Sequence, residues 1–277
     1  MAKFTVVTAC RNSAHYIEET VRSVLEQTVF KSGHCELEYL VRDGASTDGT
    51  LEILREFERD GVRVVSEPDD GLYNALAKGL KLAVGDYVAY LNAGDLFHPS
   101  GLSIATDCLD LPGVEWVTGY AAVLNDRSQI THCWLPYKYR NELFECGAYG
   151  TILPFAQQES TVWRRSLHKS VDFERFGSFR LAGDSYLWKS FASLAQLHVV
   201  RGLIGGFRVH PGQKSERMDL YRQELRSFTR KPSPTERAQA LVDRAVWAMP
   251  ERLKLLINRS TLIRYDYVRQ EWNFAAA

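Results

Sequence analysis

A chain of 277 residues, 45% hydrophobic and 25% charged, has ordinary globular composition, and at this length about three quarters of its unfolded surface can be buried. Its 34 Lys and Arg balance 34 Asp and Glu, which argues against nucleic acid as a partner. Residues 201–277 nevertheless hold 15 basic against 8 acidic side chains, leaving 19 against 26 before them, so an acidic front meets a basic tail.

Cys10, Cys35, Cys108, Cys133 and Cys146 are odd in number and form no Cys-x-x-Cys pair, which speaks against a disulfide framework or a thiolate metal site and fits a reducing compartment. Met1-Ala2-Lys3 runs straight into the strand-like Phe4-Thr5-Val6-Val7, and no apolar stretch approaches the ~20 residues that span a bilayer. The expectation is a cytoplasmic protein, either free or held at the inner face of a membrane.

In chain order, residues 4–8 read as a buried strand, Asn12 or Ser13 as the cap of a helix running to Gln27, and residues 37–42 as a second strand. A helix is expected over residues 47–59 with Ser46 or Thr47 as its cap, then a strand at 62–65, a helix from Gly71 to Val84 and an apolar strand at 87–91. This alternation predicts a mainly parallel α/β sheet with helices on both faces. Beyond Pro99 the pattern loosens to a hairpin around Asn125-Asp126, an irregular aromatic stretch at 136–150, a helix over 181–194, short strands at 197–200 and 206–209, and a turn at Pro211-Gly212. Lys231-Pro232-Ser233-Pro234 and Met249-Pro250 break up the tail.

Acidic residues follow the strands: Asp43 after the second, Asp69-Asp70 after the third, Asp95 after the fourth. In an open α/β sheet, loops beyond the carboxyl ends of the strands converge where strand order reverses, so these carboxylates are expected to build one crevice. A metal-chelated nucleotide suits it. Asp43 could accept from a base N–H or could anchor a capped turn with Ser46. Asp95 could be a metal ligand, since magnesium and manganese prefer oxygen and often use one or two carboxylates, or a helix cap. Later in the chain Glu159, Asp184 and His210 are further candidates, each with a structural alternative: a solvated strand residue, a cap and a loop hydrogen-bonder.

The order and spacing of Thr8-Ala9-Cys10-Arg11-Asn12, Val41-Arg42-Asp43-Gly44-Ala45-Ser46-Thr47-Asp48-Gly49-Thr50, Ser66-Glu67-Pro68-Asp69-Asp70-Gly71-Leu72-Tyr73-Asn74-Ala75 and Gly85-Asp86-Tyr87-Val88-Ala89-Tyr90-Leu91-Asn92-Ala93-Gly94-Asp95 resembles glycosyltransferase family 2, inverting enzymes of the GT-A-like nucleotide-diphospho-sugar transferase fold. The resemblance covers residues 3–210. It implies that Thr8 and Asn12 line a nucleotide pocket, that Asp43 contacts the base, that Asp95 ends a metal-binding acidic motif served by Mn2+ or Mg2+, and that Asp184 is the catalytic base. It also implies that Glu159 belongs to the acceptor side and that the stretch ending at His210 closes over the diphosphate and adds a metal contact. Gly94 and Asn74 stand where relatives often carry aspartate, leaving Asn92 or a backbone amide at Gly94 to serve the nucleotide.

The expected division is a catalytic domain at 1–213, with 1–98 holding the nucleotide-sugar and 99–213 facing the acceptor, followed by a helical extension at 214–277. The expected partners are a nucleoside-diphosphate sugar, a UDP-sugar by preference, and a carbohydrate or lipid-linked acceptor. A sugar-phosphate nucleotidyltransferase would carry a glycine-rich basic loop after the first strand, which Cys10-Arg11-Asn12-Ser13 does not supply, and no Gly-x-Gly-x-x-Gly supports a dinucleotide oxidoreductase. A non-catalytic nucleotide-sugar scaffold is the remaining alternative. Interleaved basic and apolar residues over 220–257 read as packed or dimerising helices, or as a face resting on anionic lipid.

Overall fold

The computed structural model describes residues 1–209 and 217–275. β1 (Ala2–Cys10) pairs in parallel with β2 (Cys35–Asp43), and β2 with β3 (Val62–Ser66), while β4 (Tyr87–Tyr90) returns to the opposite side of β1. That reversal is the switch point at which a crevice is expected. Strands buried on both faces read as continuous apolar runs, and all four residues of β4 are buried.

β5 (Leu96–Phe97), β6 (Trp116–Thr118), β7 (Ala121–Leu124), β8 (Ile130–Trp134), β9 (Thr161–Arg164), β10 (Leu197–Val200), β11 (Gly205–Arg208), β12 (Leu262–Asp266) and β13 (Glu271–Phe274) complete two sheets. The large one runs β13-β12-β10-β6-β9-β4-β1-β2-β3, and the small one β5-β11-β7-β8. In the large sheet only β9 and β13 oppose the common direction. The hairpin anticipated around Asn125-Asp126 is β7–β8.

The helices are α1 (Ile17–Leu25), α2 (Thr28–Lys31), α3 (Thr50–Glu56), α4 (Leu72–Leu82), α5 (Gly101–Leu109), α6 (Asn141–Glu145), α7 (Phe173–Ser178), α8 (Gly183–Ala192), α9 (Met218–Phe228), α10 (Pro234–Trp247) and α11 (Glu251–Ile257). They cover both faces of the large sheet. Phe4 and Val6 of β1 pack with Ile17 and Val21 of α1 and Leu102 of α5, whereas Val7 and Ala9 pack with Leu76 and Leu80 of α4 and Leu187 of α8. The two-residue period of the strand sorts alternate side chains into two cores.

Three expectations are corrected. Neither Asn12 nor Ser13 caps α1 through its side chain: Asn12 sits at φ 50° and the helix starts at Ile17. The expected 47–59 helix shortens to α3 plus a single turn at Glu58–Asp60, and neither Ser46 nor Thr47 caps it, the N-cap being Gly49 at φ 94°. Ser46 Oγ accepts from the Asn12 N–H at 2.8 Å, and Asp48 accepts from the Ala14 and Thr50 N–H groups at 3.1 Å each. The extension is helical only over α9–α11; Leu262 and Ile263, both buried, then pair in parallel with Val199 and Val200 and extend the large sheet.

Candidate active site

Loops after β1, β3 and β4 meet at the switch point and enclose a cavity of about 830 Å³. Asn12, Asp69, Asn92, Gly94, Asp95, Glu159 and Asp184 line it, together with Arg11, Arg180 and Arg217. Residues from both expected halves contribute, and so does α9 of the extension through Met218, Tyr221 and Leu225. Gly94 adopts φ 109°, a conformation L side chains rarely take, so the missing aspartate at this position goes with a glycine-specific backbone.

Besides Asp69, three carboxylates share the cavity. Asp95 is 4% and Glu159 1% exposed; Asp184 is half-buried. Asp95 Oδ1 accepts from the Arg208 backbone N–H at 2.9 Å and Oδ2 from Gln158 Nε2 at 3.2 Å. Burial pushes its carboxyl up to about 7; the Arg208 N–H and guanidinium oppose this, and the Asp184 charge adds to it. Glu159 is driven well above the usual carboxylate range by burial first and by the charge of Asp95 second. Asp184 is raised to about 6 by burial, against the lowering pull of Tyr90 and Tyr73 hydrogen bonds. A titratable group lifted close to neutrality inside a cleft is suited to exchanging protons.

Asp184 does not cap α8. The N-cap is Ala182, and Asp184 in the first turn is held from the side by Tyr90, whose hydroxyl donates to Oδ1. Tyr73 packs its ring against Gly183, where a Cβ would meet it at 2.4 Å, and its hydroxyl donates to the Leu181 carbonyl at 3.1 Å beside Asp184. The turn leading into α8 is held by Glu224 of α9, which accepts from the backbone N–H groups of Arg180, Leu181 and Ala182 at 2.8, 2.8 and 2.9 Å. Ser185 and Tyr221 hydroxyls bond at 2.7 Å alongside. Helix α9 therefore fixes the turn that presents Asp184. Replacing Glu224 by alanine is expected to destabilise the fold by about 2 kcal/mol, read as a lower urea midpoint, with glutamine recovering about half.

The loop carrying Asn92, Gly94 and Asp95 is pinned from the small sheet. Arg208 of β11, 1% exposed, donates through Nε to the Gly94 carbonyl at 2.6 Å, through Nη1 to the Asn125 and Asp126 carbonyls, and through Nη2 to Glu19 at 2.7 Å. The sequence marks the stretch around Arg208, but not that Arg208 joins Glu19, Gly94 and the Asn125-Asp126 turn, which are far apart in the chain. Tyr73, Tyr90 and Glu224 also carry no functional sign in the sequence. The first two looked like ordinary apolar positions, and Glu224 like a stray acid in a basic tail.

Two expected nucleotide contacts do not line the cavity. Thr8 falls with Phe4 and Val6 on the α1 side of the sheet by strand alternation, is fully buried, and pairs with the Tyr39 hydroxyl at 3.0 Å. Asp43, 2% exposed, spends its carboxylate on a turn: it accepts from the Ser46 N–H at 3.0 Å, the Ser46 hydroxyl, the Ser66 hydroxyl at 2.6 Å and the Cys10 thiol at 3.7 Å. Those donors occupy most of its acceptor capacity, so the capped-turn alternative is the one observed. His210 and the Pro211-Gly212 turn lie outside the described residues.

The oxygen donors suit a hard cation. Asn92 Oδ1, Gln158 Oε1 and Glu159 Oε1 are buried with no hydrogen-bond partner among the described residues, and with Asp95 they give the cavity an all-oxygen set of the kind Mg2+ and Mn2+ prefer. No group of three or more His, Cys, Asp and Glu side chains among the described residues could hold a metal by itself. A cation at Asp95 would complete its shell from a bound ligand's oxygens and from water.

A mainly parallel sheet with helices on both faces, a second small sheet and a switch-point cavity lined by carboxylates define the GT-A type of nucleotide-diphospho-sugar transferase fold. The same fold occurs in S. aureus TarS 1–349 in complex with UDP-GlcNAc, which aligns with a TM-score of 0.59 at 18% identity, covering 94% of this chain and 71% of that one. It also occurs in the mannosyltransferase PcManGT from Pyrobaculum calidifontis in complex with GDP-Man and Mn2+, with a TM-score of 0.58 at 18% identity over 92% of this chain and 79% of that one. A sequence-family profile described as Glycosyl transferase family 2 matches residues 5–144. The chain belongs to that family. Among curated relatives, the putative teichuronic acid biosynthesis glycosyltransferase TuaG of Bacillus subtilis is 39% identical over 94 residues, 33% of this chain and 35% of that protein. The UDP-Glc:alpha-D-GlcNAc-diphosphoundecaprenol beta-1,3-glucosyltransferase WfgD of Escherichia coli is 25% identical over 146 residues, 52% of this chain and 56% of that protein. The chain thus spans little more than a third to somewhat over half the length of these two relatives. Among the described residues, no helix is long and apolar enough to cross a membrane.

Proposed function

We propose that the chain is an inverting glycosyltransferase that moves a sugar from a nucleoside-diphosphate donor, a UDP-sugar by preference, to an acceptor hydroxyl in the assembly of a polysaccharide or glycolipid. The observation that carries this reading is the pair Asp95 and Asp184 on one cavity at the switch point, one backed by oxygen donors for a cation and the other raised to about 6 by burial. In the reaction, the acceptor hydroxyl attacks the anomeric carbon as the nucleoside diphosphate departs from the opposite side, which inverts the configuration. Asp184 takes the hydroxyl proton at its carboxylate. Asp95, with Asn92, Gln158 and Glu159 nearby, would hold Mn2+ or Mg2+, which when bound supplies Lewis-acid neutralisation of charge on the leaving diphosphate.

The division of labour we propose assigns the donor to residues 1–98, with Asn12, Asn92 and the Gly94 backbone at the nucleotide, and the acceptor to residues 99–213, with Glu159 on that side. Tyr221 and Leu225 of α9 add to the wall, so residues 214–277 serve the site as well as flank it. Support for a UDP donor comes from the fold shared with a UDP-GlcNAc complex, and support for a lipid-linked acceptor from the diphosphoundecaprenol named for a relative.

A thermal-shift series of nucleoside diphosphates with and without Mn2+, paired with an assay of slow donor hydrolysis, tests the reading. UDP with Mn2+ should raise the melting temperature above either alone, because a ligand that prefers the native state stabilises it by mass action, and UDP should be released slowly from a UDP-sugar in water. Pyrophosphate release from a nucleoside triphosphate would assign a nucleotidyltransferase instead. Binding without any hydrolysis or transfer would leave only a scaffold.

A further inference from the structure

α10 carries two apolar stripes where a surface helix needs one. Ala240, Val246 and Trp247 face the core, while Leu241 and Val242 stand 53% and 59% exposed on the other side, with Met249 at the helix end beyond them. After Pro250 the pattern repeats in α11. Lys254 is buried, and Leu253, Leu256 and Ile257 stand outward at i, i+3 and i+4 spacing, the last two 61% and 52% exposed. A helix that merely packs on a domain presents polar residues to water, so large apolar side chains on the outward sides of two successive helices call for a partner.

Charge identifies the occupant. The acids of α10 and α11 are Glu236, Asp243 and Glu251, and every one is engaged: Glu236 by Arg230 and the cap at Ser233, Asp243 by Arg140 at 2.7 Å, and Glu251 by Arg201 at 2.8 Å and the Tyr120 hydroxyl. Arg237, Arg244 and Arg252 on the same helices, and Arg259 just past them, are exposed and form no ion pair among the described residues. The exposed side is therefore apolar and cationic together. We infer that the outward face of α10 and α11 docks on an anionic lipid surface, its apolar side chains at the boundary of headgroups and acyl chains and its arginines on lipid phosphates. A second copy related by a two-fold axis would set the arginines of these helices against one another, with the acids of α10 and α11 already engaged.

Flotation of the full chain with vesicles tests this without donor or acceptor, so the result stands apart from glycosyl transfer. Binding is expected to phosphatidylcholine vesicles doped with phosphatidylglycerol and not to phosphatidylcholine alone, and it should weaken as salt rises. The double variant Arg252→Gln, Arg259→Gln should bind about thirty-fold more weakly. Leu256→Ser with Ile257→Ser should also lose binding while the melting temperature stays at the parent value, since both side chains are exposed. Absence of flotation with the anionic vesicles, equal binding to neutral ones, or unaltered binding by both variants would overturn the inference. So would a dimer in sedimentation that Leu256→Ser with Ile257→Ser dissolves while vesicles go unbound, which would give the face to a second copy.

Discussion

Replacing Asp184 by asparagine is expected to lower kcat about a hundred- to ten-thousand-fold, the range that general-base help supplies, while donor affinity measured by calorimetry stays at the parent value. The amide keeps the shape of the carboxylate and an oxygen that can accept from Tyr90 and Tyr73, so what disappears is the basic lone pair. Because the lost interaction belongs to the transition state, kcat and kcat/KM should fall together with little change in KM. The pH profile gives an independent signature. Asp184 titrates at about 6 and works when deprotonated, so the parent rate should climb as pH rises through that value and then level, and the residual rate of the variant should lack this limb. The stability sign runs the other way: burial raises this carboxyl in the folded chain, so the folded form binds more protons than the unfolded one and loses stability as pH rises through about 6. The ligand-free variant should then melt no lower than the parent at neutral pH, which separates lost chemistry from lost structure. Turnover near the parent value would remove Asp184 from the reaction.

What was legible in the chain beforehand follows a physical divide. The run Tyr87-Val88-Ala89-Tyr90 reads as a central strand because a parallel strand covered on both faces must be apolar throughout, and Leu72, Leu76 and Leu80 read as a helix because they recur on one side. Local chemistry sufficed there. Asp43 shows where it stops sufficing: an acid at a strand end looks the same whether it meets a ligand or anchors a turn, and Ser66, on the neighbouring strand, helps decide the matter. Thr8 misled for a similar reason, since one step along a strand moves a side chain to the opposite face. The tail concealed most. Leu262 and Ile263 are too short an apolar pair to announce a strand, and their partner strand β10 is far away in sequence. Glu224 gives no local sign that it bonds the turn before Asp184, because its partners are backbone amides without sequence identity.

Asp95→Asn should reduce donor affinity measured with Mn2+ on the order of a hundred-fold and should make donor binding nearly indifferent to the metal. Asparagine is the informative choice over alanine because the surroundings can accommodate it. Its amide oxygen can still accept from the Arg208 N–H that now meets Oδ1, and its NH2 can meet Gln158 if that side chain turns its unpartnered Oε1 toward it. The loop pinned by Arg208 thus keeps its bonds, and the folded state sheds a carboxyl that burial holds near 7, so the melting temperature should not fall. What goes is the Asp95 charge at the place where a cation would sit between protein and diphosphate. In water such a charge would matter little, but at 4% exposure its field is poorly screened and nothing else on the loop replaces it. Calorimetric titration of UDP into both proteins, with Mn2+ and with chelator, reads the difference directly. The parent should show a large metal increment and the variant almost none. An undiminished increment in the variant would move the cation away from Asp95 and onto Asp69, Glu159 or Asp184, the other carboxylates on that cavity.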